Sequence, residues 1–195
     1  VPEAYVIQGT SYFANCQWDR VRRAVTRYKK VYEPMLGDLK EYLQDSRDWP
    51  EYYRDVASGG AGRYSIELAR EVRGARRFKD YHYMIRHMEW ERDKLEQVNV
   101  WKGSQLGNDV AAIIDDHRAG IEAVAGKWSK QRLIDLQKQL ENFQNQINIL
   151  DFEVADAERQ WLEQGKEILK GRRARLPRPD IPDDQWQHWA FDKEY

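Results

Sequence analysis

The histidines and the single cysteine are the first side chains of this sequence to consider as metal ligands or nucleophiles. His82 and His87 are five residues apart, so a helix would place them on different faces, and the pair is a poor metal-binding motif. His117 closes the segment DDH, in which a carboxylate could orient the imidazole. The same histidine lies on an apolar stripe, which favours a core or interface role. Cys16 has no base placed beside it on a helix, so we interpret it as a packing residue.

These observations predict no catalytic residue, no metal site and no cofactor. An enzyme of unknown type stays as a remote alternative, which a deep pocket around His117 with paired carboxylates would support. SGGAG, residues 58–62, lacks the Lys-Ser/Thr pair and the preceding strand of a phosphate-binding loop.

A basic cluster lies in the N-terminal part of the chain. Such a cluster could bind an acidic partner or nucleic acid, and we favour the simpler interpretation of a solvated helix face. Its members are Arg20, Arg22, Arg23, Arg27, Lys29 and Lys30.

Four aromatic residues follow a proline-rich segment near the C-terminus. Exposed aromatic side chains are costly unless they bind something. We therefore predict that this tail binds protein, either this chain's own helices or a partner, through Trp186, Trp189, Phe191 and Tyr195.

Composition restricts the class of protein further. The chain has 195 residues and a formal net charge of -1 at pH 7, so its total charge gives no case for nucleic acid or an anionic membrane as partner. No apolar run approaches the roughly 18 residues of a membrane span. A single cysteine excludes a disulfide framework within the chain.

Hydrophobic periodicity predicts helices along most of the chain. Residues 64–98 read as one helix with Ser65 as its N-cap, and Ser104 is a plausible cap for the next helix. That next helix carries an apolar stripe up to Gly126, formed by Leu106, Val110, Ile113, His117, Ile121 and Val124.

The strongest regularity is a coiled-coil seam with steps of three and four residues. We predict that the helix of residues 64–98 folds back on this seam as an antiparallel hairpin, because its own stripe is long enough to cover much of it. Self-association through the coiled coil is the alternative. The seam consists of Leu133, Leu136, Leu140, Phe143, Ile147, Leu150, Val154, Ala157 and Trp161.

Residues 1–34 carry small and aromatic residues at the offsets of one tetratricopeptide repeat. Gly9 is expected to let the second helix of the repeat approach closely, with NCQWD as the turn and Pro34 ending the unit. A single repeat cannot bury its own faces, so we expect further repeats before Val1. The packing residues are Tyr5, Gly9, Tyr12, Val21, Val25, Tyr28 and Pro34.

The order of these parts resembles one family: the envelope tetratricopeptide proteins with coiled-coil tails of myxobacteria and their relatives, some of them associated with adventurous gliding motility. The resemblance is carried by PEAYVIQGTSYFANCQWDRVRRAV, by the FQNQINILDFEVADAERQ seam, by the proline-rich linker and by WAFDKEY. The family tail resembles W-x-F-x-G-E-Y-W, whereas Lys193 replaces the glycine here. The resemblance implies a periplasmic or envelope-associated scaffold without a catalytic role, acting within a larger complex.

We therefore expect an all-α fold with three regions. Residues 1–57 form the repeat-like hairpin and capping helices, 63–170 a long helical hairpin or coiled coil, and 171–195 the linker and aromatic tail. The expected function is a non-catalytic protein-interaction scaffold of a bacterial envelope assembly. The alternative is a soluble adaptor or co-chaperone that binds a peptide or protein partner, and neither function involves nucleic acid or a transmembrane segment.

Overall fold

The structure, a computed structural model, describes the backbone of residues 1–175 and the side chains of residues 1–168. Every regular element in this part of the chain is an α-helix, which confirms the predicted all-α class. The described helices include no candidate for a bilayer-spanning segment. They are α1 (Pro2–Ala14), α2 (Trp18–Gln44), α3 (Trp49–Ala57), α4 (Ile66–Gly74), α5 (Arg76–Gln97) and α6 (Gln105–Arg175).

Contacts divide the chain into two units, Val1–Asp151 and a second that starts at Phe152. The first unit contains α1 to α5 and the N-terminal part of α6. The sequence suggests separate regions for residues 1–57 and 63–170, whereas helices from both contribute to one buried core. Members of that core include Leu39, Tyr52, Phe78 and Leu133.

The first unit has two parts, which differ in how many helices surround each side chain. We call α1 to α4 together with residues 132–151 of α6 the base, because most buried side chains lie there. We call α5 together with residues 105–131 of α6 the arm, and the loop that joins them, residues 98–104, its tip.

The helix starts follow the local sequence. Ser65 Oγ accepts a hydrogen bond from the Glu67 amide at 3.2 Å, and Ser104 Oγ accepts one from the Gly107 amide at 3.0 Å. Both serines therefore cap the helices that follow them, as predicted. The predicted helix of residues 64–98 is divided into α4 and α5, because the backbone at Ala75 is extended, with φ -66° and ψ 135°.

Pro34 lies inside α2 instead of ending it, so the helix runs on to Gln44. A proline removes the hydrogen bond to the carbonyl four residues earlier, which here belongs to Lys30. Both residues are exposed, so water can bond that carbonyl. Leu36 and Leu39 beyond the proline are buried in the core and hold the helix in place.

α2, and not α5, covers the middle part of the predicted seam. Lys29 Nζ lies 2.7 Å from Asp151 Oδ2, and Lys40 Nζ lies 3.0 Å from Glu141 Oε1. Since the higher residue number on α2 meets the lower one on α6, the two helices are antiparallel. Residues 64–98 reach only the start of the seam, where Glu71 pairs with Arg132 at 3.5 Å. The prediction that they cover much of it is therefore wrong.

Helix length explains this correction. α5 has 22 residues, so at about 1.5 Å per residue it is roughly 33 Å long. Folded back after a short loop, it runs alongside only about as many residues of α6, to roughly residue 126. The seam starts at Leu133, so α5 meets only its first turn and leaves the rest to other helices.

The N-terminal hairpin packs differently from the prediction at one position. A Cβ atom on Gly9 would overlap the side chain of Leu150 on α6, whereas no atom of α2 is that close. Gly9 therefore makes room for α6, and not for the second helix of the hairpin. Of the other predicted packing residues, Val21, Val25 and Tyr28 are buried, Tyr5 and Tyr12 are half-buried, and Pro34 is exposed.

Candidate interaction surfaces

The arm buries few side chains. Between Ile85 and Ala125, Gly107 and Ala111 are the residues that the structure shows as buried. Two antiparallel helices can cover only the stripe along which they touch, so the remaining faces stay open to solvent.

One flank of the arm is polar and ion-paired. Arg92 Nε lies 3.3 Å from Asp115 Oδ2, which joins α5 to α6. Arg54 of α3 continues this side, with its guanidinium 3.1 Å from Glu122 Oε2. Charged groups on this flank therefore satisfy one another within the first unit.

The other flank of the arm is an apolar groove. Its α6 side follows steps of four and three residues, through Val110, Ile114, His117, Ile121, Val124 and Trp128. Its other side is formed by Tyr81, Met84, Glu91 and Leu95 of α5 and by Val98 directly after that helix, at intervals of three, four or seven residues. Both stripes lie beside each other because the helices are antiparallel, and we call the space between them the apolar groove.

Three concavities follow this groove, with volumes of about 530, 450 and 430 Å³ from the tip of the arm towards the base. The second and third share Tyr81 and Val124, so they are continuous. The side chains of Met84 and Val124 are 45% and 53% exposed, which leaves the groove accessible.

Charge changes along the groove. Glu91 and Lys94 lie at the tip and Asp116 lies in the middle. The end near the base is basic, with Arg77, Lys127 and Lys130 in its lining. Lys130 also lies over the ring of Tyr52, with Nζ 4.9 Å from the centroid.

The histidines do not converge on a catalytic arrangement. His117 is exposed in the shallow middle of the groove, and Asp115 turns away from it towards Arg92. His82 Nδ1 lies 2.8 Å from the hydroxyl of Tyr53, whose pKa is raised to about 12 by burial and by neighbouring glutamates. Within the described residues there is no group of three or more His, Cys, Asp or Glu placed to hold a metal ion.

An exposed face of α5 beside the tip of the groove carries a row of aromatic side chains that the sequence did not predict, and Trp90 of this row also lines the tip concavity. The ring centroids of Tyr83 and His87 are 6.0 Å apart, and those of His87 and Trp90 are 5.8 Å apart. Lys94 Nζ lies 5.8 Å from the Trp90 ring and extends the row. These residues are spaced by four, three and four positions, which the sequence shows. The helix was instead predicted from the apolar stripe that includes Phe78, Tyr81 and Ile85.

A basic concavity of about 200 Å³ lies between α1 and α2. Part of the predicted basic cluster lines it, and we call it the arginine groove. Its lining residues are Gln8, Tyr12, Arg20, Arg23, Ala24 and Arg27.

The predicted seam residues are buried over most of their length. Leu133, Leu136, Leu140, Ile147, Leu150 and Val154 are buried, and Phe143 is half-buried. Trp161, in the second unit, is 63% exposed. The predicted tail residues Trp186, Trp189, Phe191 and Tyr195 lie outside the described residues.

Comparison of the chain with protein-family models, with curated proteins and with solved structures found no match. The resemblance to the envelope tetratricopeptide proteins therefore stays a prediction.

Proposed function

We propose that this chain is a non-catalytic interaction scaffold whose apolar groove binds an amphipathic helix of a partner protein. The observation that carries the proposal is the asymmetry of the arm. One flank is joined by ion pairs, whereas the other presents two apolar stripes with helical spacing and nothing over them among the described residues.

A helix is the occupant that fits the two stripes. Side chains spaced by three and four residues on two antiparallel helices form the ridges and grooves into which a third helix packs. From Val110 to Trp128 the α6 side spans 18 residues, or about 27 Å at 1.5 Å per residue. A partner helix of about five turns with one apolar stripe would cover it.

The charges in the groove give that helix a direction. The basic end near Arg77, Lys127 and Lys130 favours acidic side chains and the partly negative C-terminal end of a helix. The tip of the arm has no such excess of positive charge, because Glu91 and Lys94 both lie in its lining. The partner helix would therefore end near the base and begin near the tip.

The resemblance to the gliding-motility type of envelope protein supports a cellular location for this scaffold. By that resemblance it is a periplasmic or envelope-associated subunit of a bacterial assembly. Fractionation of native cells tests this part: we expect the protein in the envelope or periplasmic fraction, and recovery with the cytoplasmic enzymes would contradict it.

Site-specific photo-crosslinking in native cells tests the helix-binding proposal. A photoreactive residue at Val124 is expected to form an adduct with a helical segment of a second protein. The matched control places the same residue at Ala119, an exposed position of α6 that is not part of the groove lining. Met84→Glu should abolish the adduct at position 124, because it places a charge in the opposite wall.

Three outcomes would overturn the proposal. One is the absence of any adduct at position 124, and another is the same adduct at positions 119 and 124. The third is an adduct between two copies of this chain, which would make the groove a self-association surface.

A further inference from the structure

The arginine groove differs from other basic sites of the chain in how its charges are placed. Arg20, Arg23 and Arg27 follow one another at steps of three and four residues, so they lie along one face of α2. α1 forms the opposite wall with Gln8 and Tyr12.

Two contacts order this wall. Gln8 Nε2 donates a hydrogen bond to the Tyr12 hydroxyl at 3.1 Å. The guanidinium of Arg20 lies over the Tyr12 ring, 5.6 Å from its centroid. Stacking on an aromatic ring leaves the N–H groups of a guanidinium free to donate at its edge.

No carboxylate among the described residues is paired with Arg20, Arg23 or Arg27. On the α6-facing side of the same helix, Lys29 has a carboxylate 2.7 Å away. In the base, Arg63 has Asp55 at 3.0 Å. The groove thus collects three cations that the first unit leaves without a counter-charge.

We propose that the arginine groove binds a short acidic segment of a protein, through carboxylates that accept from Arg20, Arg23 and Arg27. Guanidinium and carboxylate match in plane and spacing, so each arginine can donate two hydrogen bonds to one acidic side chain. Steps of three and four residues separate the arginines by roughly 5 to 6 Å along α2. Acidic residues at similar steps on a helix, or at alternate positions of an extended segment, have comparable spacing.

The dimensions of the site favour a peptide over nucleic acid. Proteins that bind duplex nucleic acid by its backbone make about six to ten phosphate contacts over an extended basic surface. Here the concavity holds three arginines in about 200 Å³, and the chain as a whole has a net charge of -1.

This site is independent of the apolar groove, since it uses α1 and α2 and not α5. The two together would let one chain hold an apolar helix at the arm and an acidic segment at the base. The inference therefore goes beyond the proposed function and can fail separately from it.

Fluorescence anisotropy with a short, fluorescein-labelled glutamate-rich peptide tests the inference on the full chain. We expect saturable binding at low salt that weakens as salt is added, because the site is exposed. The double variant Arg23→Gln with Arg27→Gln should bind about tenfold or more weakly. All four positions of the test and its control are exposed, so circular dichroism and melting temperature should stay unchanged.

The matched control removes the same number of positive charges at a site outside the arginine groove. Arg70→Gln with Arg76→Gln, on α4 and α5, should leave the affinity for the peptide within about twofold of the original. Val124→Glu in the apolar groove should also leave it unchanged, which separates this site from the proposed helix-binding surface.

Two results would overturn the inference. One is equal loss of affinity in the two arginine double variants, since the peptide would then respond to total charge only. The other is binding of a single-stranded DNA oligonucleotide or of phosphatidylglycerol vesicles as tight as that of the peptide, which would make the groove a general polyanion surface.

Discussion

Most aromatic side chains of the base are buried, whereas several on the arm of the same unit are exposed. In the base, Tyr28 and Tyr52 are fully buried and Tyr42 is 2% exposed, whereas on the arm Tyr83 is 70% and Trp90 56% exposed. The base surrounds one segment of α6 with several helices, so each side chain meets neighbours on most sides. The arm has only two helices. The same residue types therefore build a core in one region and a surface in the other.

Polar side chains differ between the base and the arm in the same way: they form buried hydrogen bonds in the base and surface ion pairs on the arm. In the base, the buried carboxylate of Asp55 accepts from the Tyr42 hydroxyl at 2.9 Å and from Arg63 at 3.0 Å. Burial, together with the hydrogen bond to Asp55, raises the pKa of Tyr42. On the arm, ion pairs such as Arg92 with Glu96 are on the surface. The comparison implies that the base carries most of the folding stability and the arm carries binding surface.

The largest expected effect comes from two glycines of α6. A Cβ atom on Gly126 would overlap the backbone carbonyl of Trp49 at the base, whereas one on Gly120 in the arm meets nothing within 4 Å. Gly126→Val should therefore lower the free energy of unfolding by about 3 kcal/mol or more. Gly120→Ala should raise it by up to about 1 kcal/mol, because alanine is the better helix former. Urea unfolding measures both, and equal effects would remove the distinction between the end of the arm that contacts the base and its open part.

A second pair compares leucines of similar chemistry. Leu39 is fully buried in the base, so Leu39→Ala should cost about 3 kcal/mol through lost burial and the cavity left behind. Leu95 is half-buried on the arm, and Leu95→Ala should cost less than about 1 kcal/mol. Chemical denaturation with circular dichroism compares the two variants. A large loss for Leu95→Ala would show that the arm has a core of its own.

The smallest expected effect is a sensitivity to alkali that arises in the base. Burial, with the nearby Tyr32 and Glu33, raises the pKa of Tyr28 to about 12. In the unfolded chain the phenol ionises near 10. Between about pH 10 and 12 the unfolded chain therefore binds fewer protons than the folded one, and the free energy of unfolding falls as pH rises. Thermal unfolding across this range should show the decline.

Tyr28→Phe is the variant that assigns this decline. It removes one titrating group from the base, so stability should fall less steeply with pH than in the original chain. It also removes the hydrogen bond to the Leu140 carbonyl, 3.3 Å away, so its stability at neutral pH serves as the reference for the comparison. An unchanged slope would mean that this phenol does not contribute.

Local signals in the sequence predicted part of the fold well. The N-caps Ser65 and Ser104 depend on one side chain and the next turn of backbone, and both were found as predicted. The predicted end of the second helix at Pro34 was wrong. The free-energy cost of a proline inside a helix depends on whether the carbonyl it leaves unbonded, here that of Lys30, can bond water. That exposure is a tertiary property, and no local pattern reports it.

The candidate sites were predictable only in part. The basic cluster and part of the stripe of α6 were visible as spacing, although Leu106 and Ile113 of that stripe lie outside the groove lining. Which arginines line a concavity depends on α1 lying opposite them. The apolar groove likewise forms only because α5 lies beside α6. The periodicity of apolar residues along the sequence does not show which helix packs against which stripe. The exposed row of Tyr83, His87 and Trp90 also had the spacing of a buried face.

The sequence by itself determined the all-α class, the starts of α4 and α6, and the apolar spacing of the seam on α6. These follow from interactions within a few turns of backbone. The tertiary structure decided that α2 covers the seam, that Gly9 makes room for Leu150, and that one flank of the arm stays open. Those outcomes depend on the lengths of α5 and α2 and on which of several helices packs against a given apolar stripe. Both are settled by contacts between residues far apart in the sequence, so no local pattern predicts them.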